Sequence, residues 1–232
     1  GADGLLRATP GRQGAALTME LRNADGSPAE MSGNGIRCLV QAAVGAGWVD
    51  AGVVVVDTAA GRRQVTYRPG AEPGSGFGRV AMGAPVLGDV ASVDEPALSL
   101  RAARAVDMGN PHLVLLVDGP VEDSVVHGVG ARLERSVPGG ANVEFVWTGP
   151  EDGALTMRVW ERGVGETLAC GTGTCAVAAA TRAWGISGDR VVVHNPGGAL
   201  DVELVGDEAV LGGPTQFVAT IEVDEPVEAA AR

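Results

Sequence analysis

The chain repeats itself across more than half its length. Met157-Arg-Val-Trp-Glu161 leads through a glycine-rich turn into Cys170-Gly-Thr-Gly173 and an alanine-rich stretch ending at Trp184. Earlier, Met19-Glu-Leu-Arg-Asn23 leads into Ser32-Gly-Asn-Gly35 and a second alanine-rich stretch, Ile36 to Ala46. One offset, 138 positions, relates Met19 to Met157, Ser32 to Cys170 and Gly35 to Gly173, and it persists as far as Val53 and Val191. Farther on, Val80-Ala-Met-Gly-Ala-Pro85 resembles Val210-Leu-Gly-Gly-Pro214 at a shorter spacing. A period this long is not that of a solenoid, so it predicts two homologous domains, each presenting one helix start. We place them at residues 1–86 and 87–213, with Ala84 to Asp94 as the linker. Segment 214–232, including a strand from Gln216 to Val223, is expected to return to the first domain.

Each repeat reads as a strand, a turn and a helix whose start is rich in glycine. The first N–H groups of a helix have no partner within it, and the macrodipole adds partial positive charge there. Gly33 and Asn34 in the first repeat, and Gly171 and Thr172 in the second, therefore form nests suited to a carboxylate or phosphate. Cys170 stands at the mouth of the second nest, where a helix start is expected to lower a thiol's pKa toward neutrality. An anion cradle beside such a thiol points to chemistry on a carboxylate-bearing molecule.

Between these landmarks, strands are predicted at Met19 to Asn23, Val53 to Val56, Gln64 to Tyr67 and Arg79 to Met82. In the second half they are predicted at Ala97 to Val106, Leu113 to Val117, Asn142 to Val146, Val191 to His194, Ala199 to Leu204 and Ala209 to Leu211. Asn23-Ala-Asp-Gly26 has strong turn chemistry, Pro69 to Gly78 reads as a loop, and Val121 to Glu134 as a helix or turn. Strands outnumber helices and the connections are of hairpin length. The fold class is α+β: two pseudo-two-fold-related domains, each a mainly antiparallel sheet wrapped around a central helix. The opening Gly1-Ala-Asp-Gly, without an initiating Met, reads as part of a longer chain whose first strands lie outside it.

Composition narrows the function. A net charge of −12 with no basic run argues against nucleic acid and anionic membrane surfaces. No signal peptide or membrane-length apolar run is visible. Cys38, Cys170 and Cys175 make neither a disulfide framework nor a zinc spacing, so no metal is expected and a reducing, cytoplasmic setting is. All 17 basic residues are arginine. Without lysine, the Schiff-base route of pyridoxal phosphate enzymes is closed.

The motifs resemble the diaminopimelate epimerase family, within the wider proline racemase-like fold. They are Gly1-Ala-Asp-Gly, Arg22-Asn-Ala-Asp-Gly-Ser, Glu30-Met-Ser-Gly-Asn-Gly-Ile-Arg-Cys, Gly109-Asn-Pro-His, Asn142-Val-Glu, Glu161-Arg-Gly-Val-Gly-Glu-Thr, Cys170-Gly-Thr-Gly-Thr and Pro196-Gly-Gly. The resemblance covers nearly the whole chain and implies cofactor-free interconversion of LL- and meso-diaminopimelate, in bacterial lysine and peptidoglycan-precursor synthesis. It implies two cysteines, one per domain, on opposite faces of the substrate α-carbon: one removes the proton and the other returns one. It assigns Asn23, Asn110, Asn142, Glu161 and Arg162 to substrate binding, and it places His112 next to a catalytic thiol. The small-molecule substrate is the implied partner, with a homodimer left open.

Cys170 matches the second-domain cysteine, but Ser32 stands where the family has the first. A hydroxyl is a far weaker acid than a thiol, and Ser32 is also a good helix N-cap, so an epimerase impaired at this position is expected. A racemase or dehydratase of hydroxyproline-like acids, for which serine is native, and a non-catalytic amino-acid-binding relative are the alternatives. Asn142 and Glu161–Arg162 favour a long substrate with a second amino-carboxylate end, because the planar fork of Arg162 suits a carboxylate. Asn142 also reads as a strand-edge turn residue, and Glu161–Arg162 as a solvated pair. Cys38 is expected on the packed side of its helix and Cys175 in the core. His127 and His194 are expected at the surface.

Overall fold

A computed structural model describes residues 4–29, 31–90 and 93–222. Helix α1 (Gly33–Gly45) begins at Ser32, which is extended (φ −137°, ψ 116°) and whose Oγ accepts from Gly35 N at 3.0 Å. The other long helix, Gly171–Ala183, begins in the same way at Cys170 (φ −119°, ψ 114°), whose Sγ accepts from Gly173 N at 3.3 Å. Both start and end residues are related by the repeat offset. Ile36, Leu39, Val40 and Ala43 form the single apolar stripe of α1. The second helix is buried continuously from Gly173 to Thr181, as its run of small side chains allows.

The strands before α1 are β1 (Gly4–Pro10), β2 (Leu17–Asn23) and β3 (Pro28–Ala29), followed by β4 (Gly52–Thr58), β5 (Gly61–Pro69) and β6 (Ser75–Gly83). Then come β7 (Val86–Val90), β8 (Leu100–Asp107) and β9 (Pro111–Val117). A helical stretch holds α2 (Asp123–Val125), a π turn (Val126–Gly130) and α3 (Ala131–Ser136). Next are β10 (Asn142–Thr148), β11 (Leu155–Glu161), β12 (Gly165–Thr167) and the long helix, now α4. The last strands are β13 (Arg190–Asn195), β14 (Gly198–Val205) and β15 (Glu208–Gln216).

One sheet runs β1-β2-β4-β5-β6-β15-β14-β13-β11-β10-β9-β8-β7. Pairing is antiparallel except at β2–β4, β9–β10 and β11–β13. The repeat is kept in register: Leu5 faces Arg22 in the first half and Val143 faces Trp160 in the second. The repeat-related strands β6 and β15 pair with each other, Val80 opposite Leu211, and so join the halves. Arg79 adds ion pairs to Asp201 (3.0 Å) and Glu203 (2.8 Å) across the same seam. The main apolar core lies around α1 and α4; a second cluster, including Leu115, Val126, Val129 and Phe145, sits beneath the α2–α3 stretch.

Several expectations are corrected. The stretch read as a linker contains β7, which pairs with β8. Ser75, within the expected loop, already begins β6. No strand runs over 217–222, and residue 223 onward lies outside the described residues. It is β15 itself that returns to the first half.

Cys38 does not face packed protein; it is exposed beside an apolar groove of about 310 Å³ lined by Leu6, Leu39, Ala43 and Trp48. The reason is visible in the repeat. Its mate, Ala176, is fully buried on α4, which packs against β8 and β9. Among the described residues no strand pairs with the outer edge of β1. Cys175 is fully buried, as expected, and its surroundings push the thiol up to about 12.

Candidate active site

The two helix starts meet. A Cβ built on Gly171 would lie 3.3 Å from Gly33 Cα, so the backbone of one nest rests on that of the other. Ser32 and Cys170, the caps immediately preceding these glycines, are thereby brought to adjoining positions by opposite halves of the chain. Ser32 is half-buried; among the described residues, the one hydrogen bond its Oγ accepts is the capping bond. Asn34 Oδ1 accepts from Arg37 Nη2 at 3.1 Å, and Gly33 O from Arg37 Nη1 at 3.0 Å, so a buried guanidinium braces the first nest.

Cys170 is 6% exposed, and its Sγ lies 3.5 Å from Thr172 Oγ1. Burial pushes the thiol's pKa strongly up, and the carboxylates of Glu161 and Glu144 push it further; Thr172 and Gly173 N–H oppose this. The lowered pKa expected from the helix start is therefore reversed in this closed arrangement. Two backbone and hydroxyl contacts do not offset desolvation plus two like charges. Glu161, half-buried at the end of β11, hydrogen-bonds Thr167 Oγ1, and burial holds its carboxyl above the usual range.

His112 is almost fully buried on β9. Its Nδ1 lies 2.6 Å from Glu144 Oε1 and its Nε2 3.1 Å from Asn110 Oδ1. Asn110 Nδ2 in turn donates to Thr172 Oγ1 at 3.4 Å. Glu144 is absent from the residues singled out by sequence. Its signal was a lone carboxylate inside Asn142-Val-Glu-Phe-Val146, a strand buried on both faces.

Asn142, 5% exposed, accepts from Arg162 N at 2.8 Å, and so holds the turn after β11. Arg162 is exposed, and its Nη1 donates to Gly139 O at 3.1 Å. It does not pair with Glu161, which corrects the reading of a solvated ion pair. Glu134, also missed in the sequence, accepts from Trp160 Nε1 (2.7 Å) and Gly163 N (2.9 Å) and fixes the same turn. Asn23 is not drawn into this network: it is exposed and its Nδ2 donates to Ser27 Oγ at 3.1 Å. His127 and His194 lie toward solvent, paired with Glu166 and Glu151.

Among the described residues no helix is long and apolar enough to cross a membrane. Solved structures share the fold. A phenazine biosynthesis protein of the PhzF family from Bacillus anthracis superimposes with a TM-score of 0.73 at 14% identity, covering 93% of this chain and 83% of that one. A hydroxyproline epimerase from Agrobacterium vitis, solved with bound trans-4-hydroxy-L-proline, gives 0.65 at 18% identity, covering 92% and 72%. Sequence relatives are nearer. The diaminopimelate epimerase of Corynebacterium glutamicum is 40% identical over 96% of this chain and 83% of its own length. That of Methanocella arvoryzae is 39% identical over 97% and 82%. The family model described as diaminopimelate epimerase matches residues 1–88 and 104–218. With two homologous helix starts set against each other and matches of this extent, the chain belongs to the diaminopimelate epimerase family of isomerases.

Proposed function

We propose that this protein interconverts LL- and meso-diaminopimelate by proton transfer at the α-carbon, without a cofactor, and that Ser32 impairs the reaction. The contact between the Gly33 and Gly171 backbones carries the reading, because it sets Ser32 and Cys170 on adjoining helix starts. Residues 1–86 and 87–213 form the two lobes, and Gly33, Asn34, Gly171 and Thr172 supply the nests for the reacting carboxylate. Asn23, Asn110, Asn142, Glu161 and Arg162 bind the rest of the substrate, and His112 supports the acid–base pair.

A two-base inversion needs one group to take the proton and another to give one on the opposite face. Cys170, its thiol held protonated by burial, suits the giving role at the start of a turnover. Ser32 then has to act as base, and among the described residues no side chain is bonded to its Oγ. Cys170 can still remove and return a proton on its own face, so in D2O the diaminopimelate isomer whose α-hydrogen faces Cys170 should take up α-deuterium slowly with little inversion, while calorimetry reports binding. Binding of hydroxyproline but not of diaminopimelate would overturn the substrate assignment.

A further inference from the structure

We propose that Glu144 is a positioning residue of the proton-transfer site: it holds His112 in one orientation and one tautomer and reaches the Cys170 thiol through Asn110 and Thr172. This rests on the reading above. The connection is continuous: Glu144 Oε1 to His112 Nδ1 (2.6 Å), His112 Nε2 to Asn110 Oδ1 (3.1 Å), Asn110 Nδ2 to Thr172 Oγ1 (3.4 Å) and Thr172 Oγ1 to Cys170 Sγ (3.5 Å).

The repeat shows that the fold does not require a carboxylate there. The residue 138 positions before Glu144 is Leu6. Leu6 Cδ1 stands 3.1 Å from a Cβ built on Gly35, while Glu144 Oε1 stands 2.7 Å from one built on the mate, Gly173. The same place beneath the same helix turn is thus filled by an apolar side chain in one half and an acid in the other. The acid is fully buried, and among the described residues its Oε2 has no hydrogen-bond partner. Burying a carboxylate with one oxygen unbonded is costly when a leucine would serve. What the carboxylate adds is a constraint on the ring. At 2.6 Å from a carboxylate oxygen, Nδ1 carries the proton, which leaves Nε2 as an acceptor facing the Asn110 side-chain amide; in this tautomer the amide is turned so that its NH2 donates to Nε2 and its oxygen accepts from Thr172 Oγ1. The titratable groups facing this cluster are Glu144 from β10, Glu161 from β11 and the Cys170 thiol.

The test uses Glu144→Leu, which copies Leu6, and Glu144→Gln, each in the protein as it stands and with Ser32→Cys. Side-chain 15N spectra should show the His112 Nδ1 proton protected from solvent exchange in the parent and lost from that state in Glu144→Leu. With Ser32→Cys, turnover of diaminopimelate should fall roughly 10²-fold in the Leu variant, with KM changed less than about twofold, since among the described residues no hydrogen bond joins Glu144 to the N–H groups of the nest. Glu144→Gln retains an acceptor and should fall between. An unchanged His112 spectrum in Glu144→Leu overturns the proposal, and so does a changed spectrum with unchanged turnover. If the Ser32→Cys protein turns over no diaminopimelate at all, the substrate reading fails instead, and the 15N spectra alone decide the role of Glu144.

Discussion

Gly33 and Gly171 are repeat mates that touch each other. A Cβ on Gly171 would stand 3.3 Å from Gly33 Cα and 3.6 Å from its nitrogen, and Cβ atoms on the two glycines would meet Leu211 Cδ2 at 3.0 and 2.8 Å. Residues that are equivalent and adjacent lie at the local two-fold axis, so anything added to one is pressed against the other.

Gly171→Ala should therefore push the two nests apart. Leu211 can yield at its methyl, but the Gly33 backbone cannot without moving α1. The expected stability loss is about 1–3 kcal/mol, as for overpacking of a close-packed interior. Denaturant titration measures that cost, and the substrate KM should rise in the same variant. A variant with parental stability and parental KM would show that the halves are not set by this contact.

Ser32→Cys should raise epimerisation by roughly 10²- to 10⁴-fold, the usual contribution of a well-placed acid or base. Stereochemical inversion of LL- and meso-diaminopimelate measures it in both directions. Ser32→Ala should instead lose the cap on Gly35 N, costing about 1 kcal/mol of stability. If the serine protein inverts as fast as Ser32→Cys, position 32 is not an acid–base site.

Glu161 gives a pH signature. Burial raises its carboxyl above its ordinary value, so the folded state keeps a proton that the unfolded chain has already lost. The associated stability is fully present below about 4.5, the ordinary value, and is lost as pH rises through the folded-state value. Glu161→Gln should flatten this part of the stability–pH curve. Because Glu161 also pushes the Cys170 thiol up, the same variant should alkylate with iodoacetamide at lower pH. Mass spectrometry of the Cys170 peptide checks it; a shift in the opposite direction would contradict the charge assignment.

Glu134→Ala should loosen the turn that carries Arg162, since it removes the acceptor of both Trp160 Nε1 and Gly163 N. We expect a several-fold rise in KM for diaminopimelate and a smaller change in kcat, read from steady-state kinetics. A fall in kcat at constant KM would assign Glu134 a different part.

Much of this architecture is legible in the chain because the repeat is undisturbed at its helix starts. Serine or cysteine followed by Gly-Asn-Gly or Gly-Thr-Gly marks the caps of α1 and α4, and the alanine runs give helices that strands can wrap closely. What stayed hidden depends on contacts between distant segments. Cys170 carries a helix-start signature, but Glu144 and Glu161, on two other strands, reverse the expected direction of its titration. Cys38 lies open while its repeat mate Ala176 is buried, because exposure depends on which strands flank each half. The value of Glu144 as a site residue emerges only beside Leu6, once both strands are known to run in one register.

The seam at β15 has a consequence for how the protein is made. Ser75 pairs with Gln216 and Gly83 with Ala209, so the edge of β6 has to wait until β15 has left the ribosome. Until then the first half exposes an unpaired strand edge of the kind that invites intermolecular pairing. Translation order and folding order therefore part company: the edge of β6 is closed by a strand synthesised well over a hundred residues later, and rapid synthesis or chaperone binding would shorten or cover the interval.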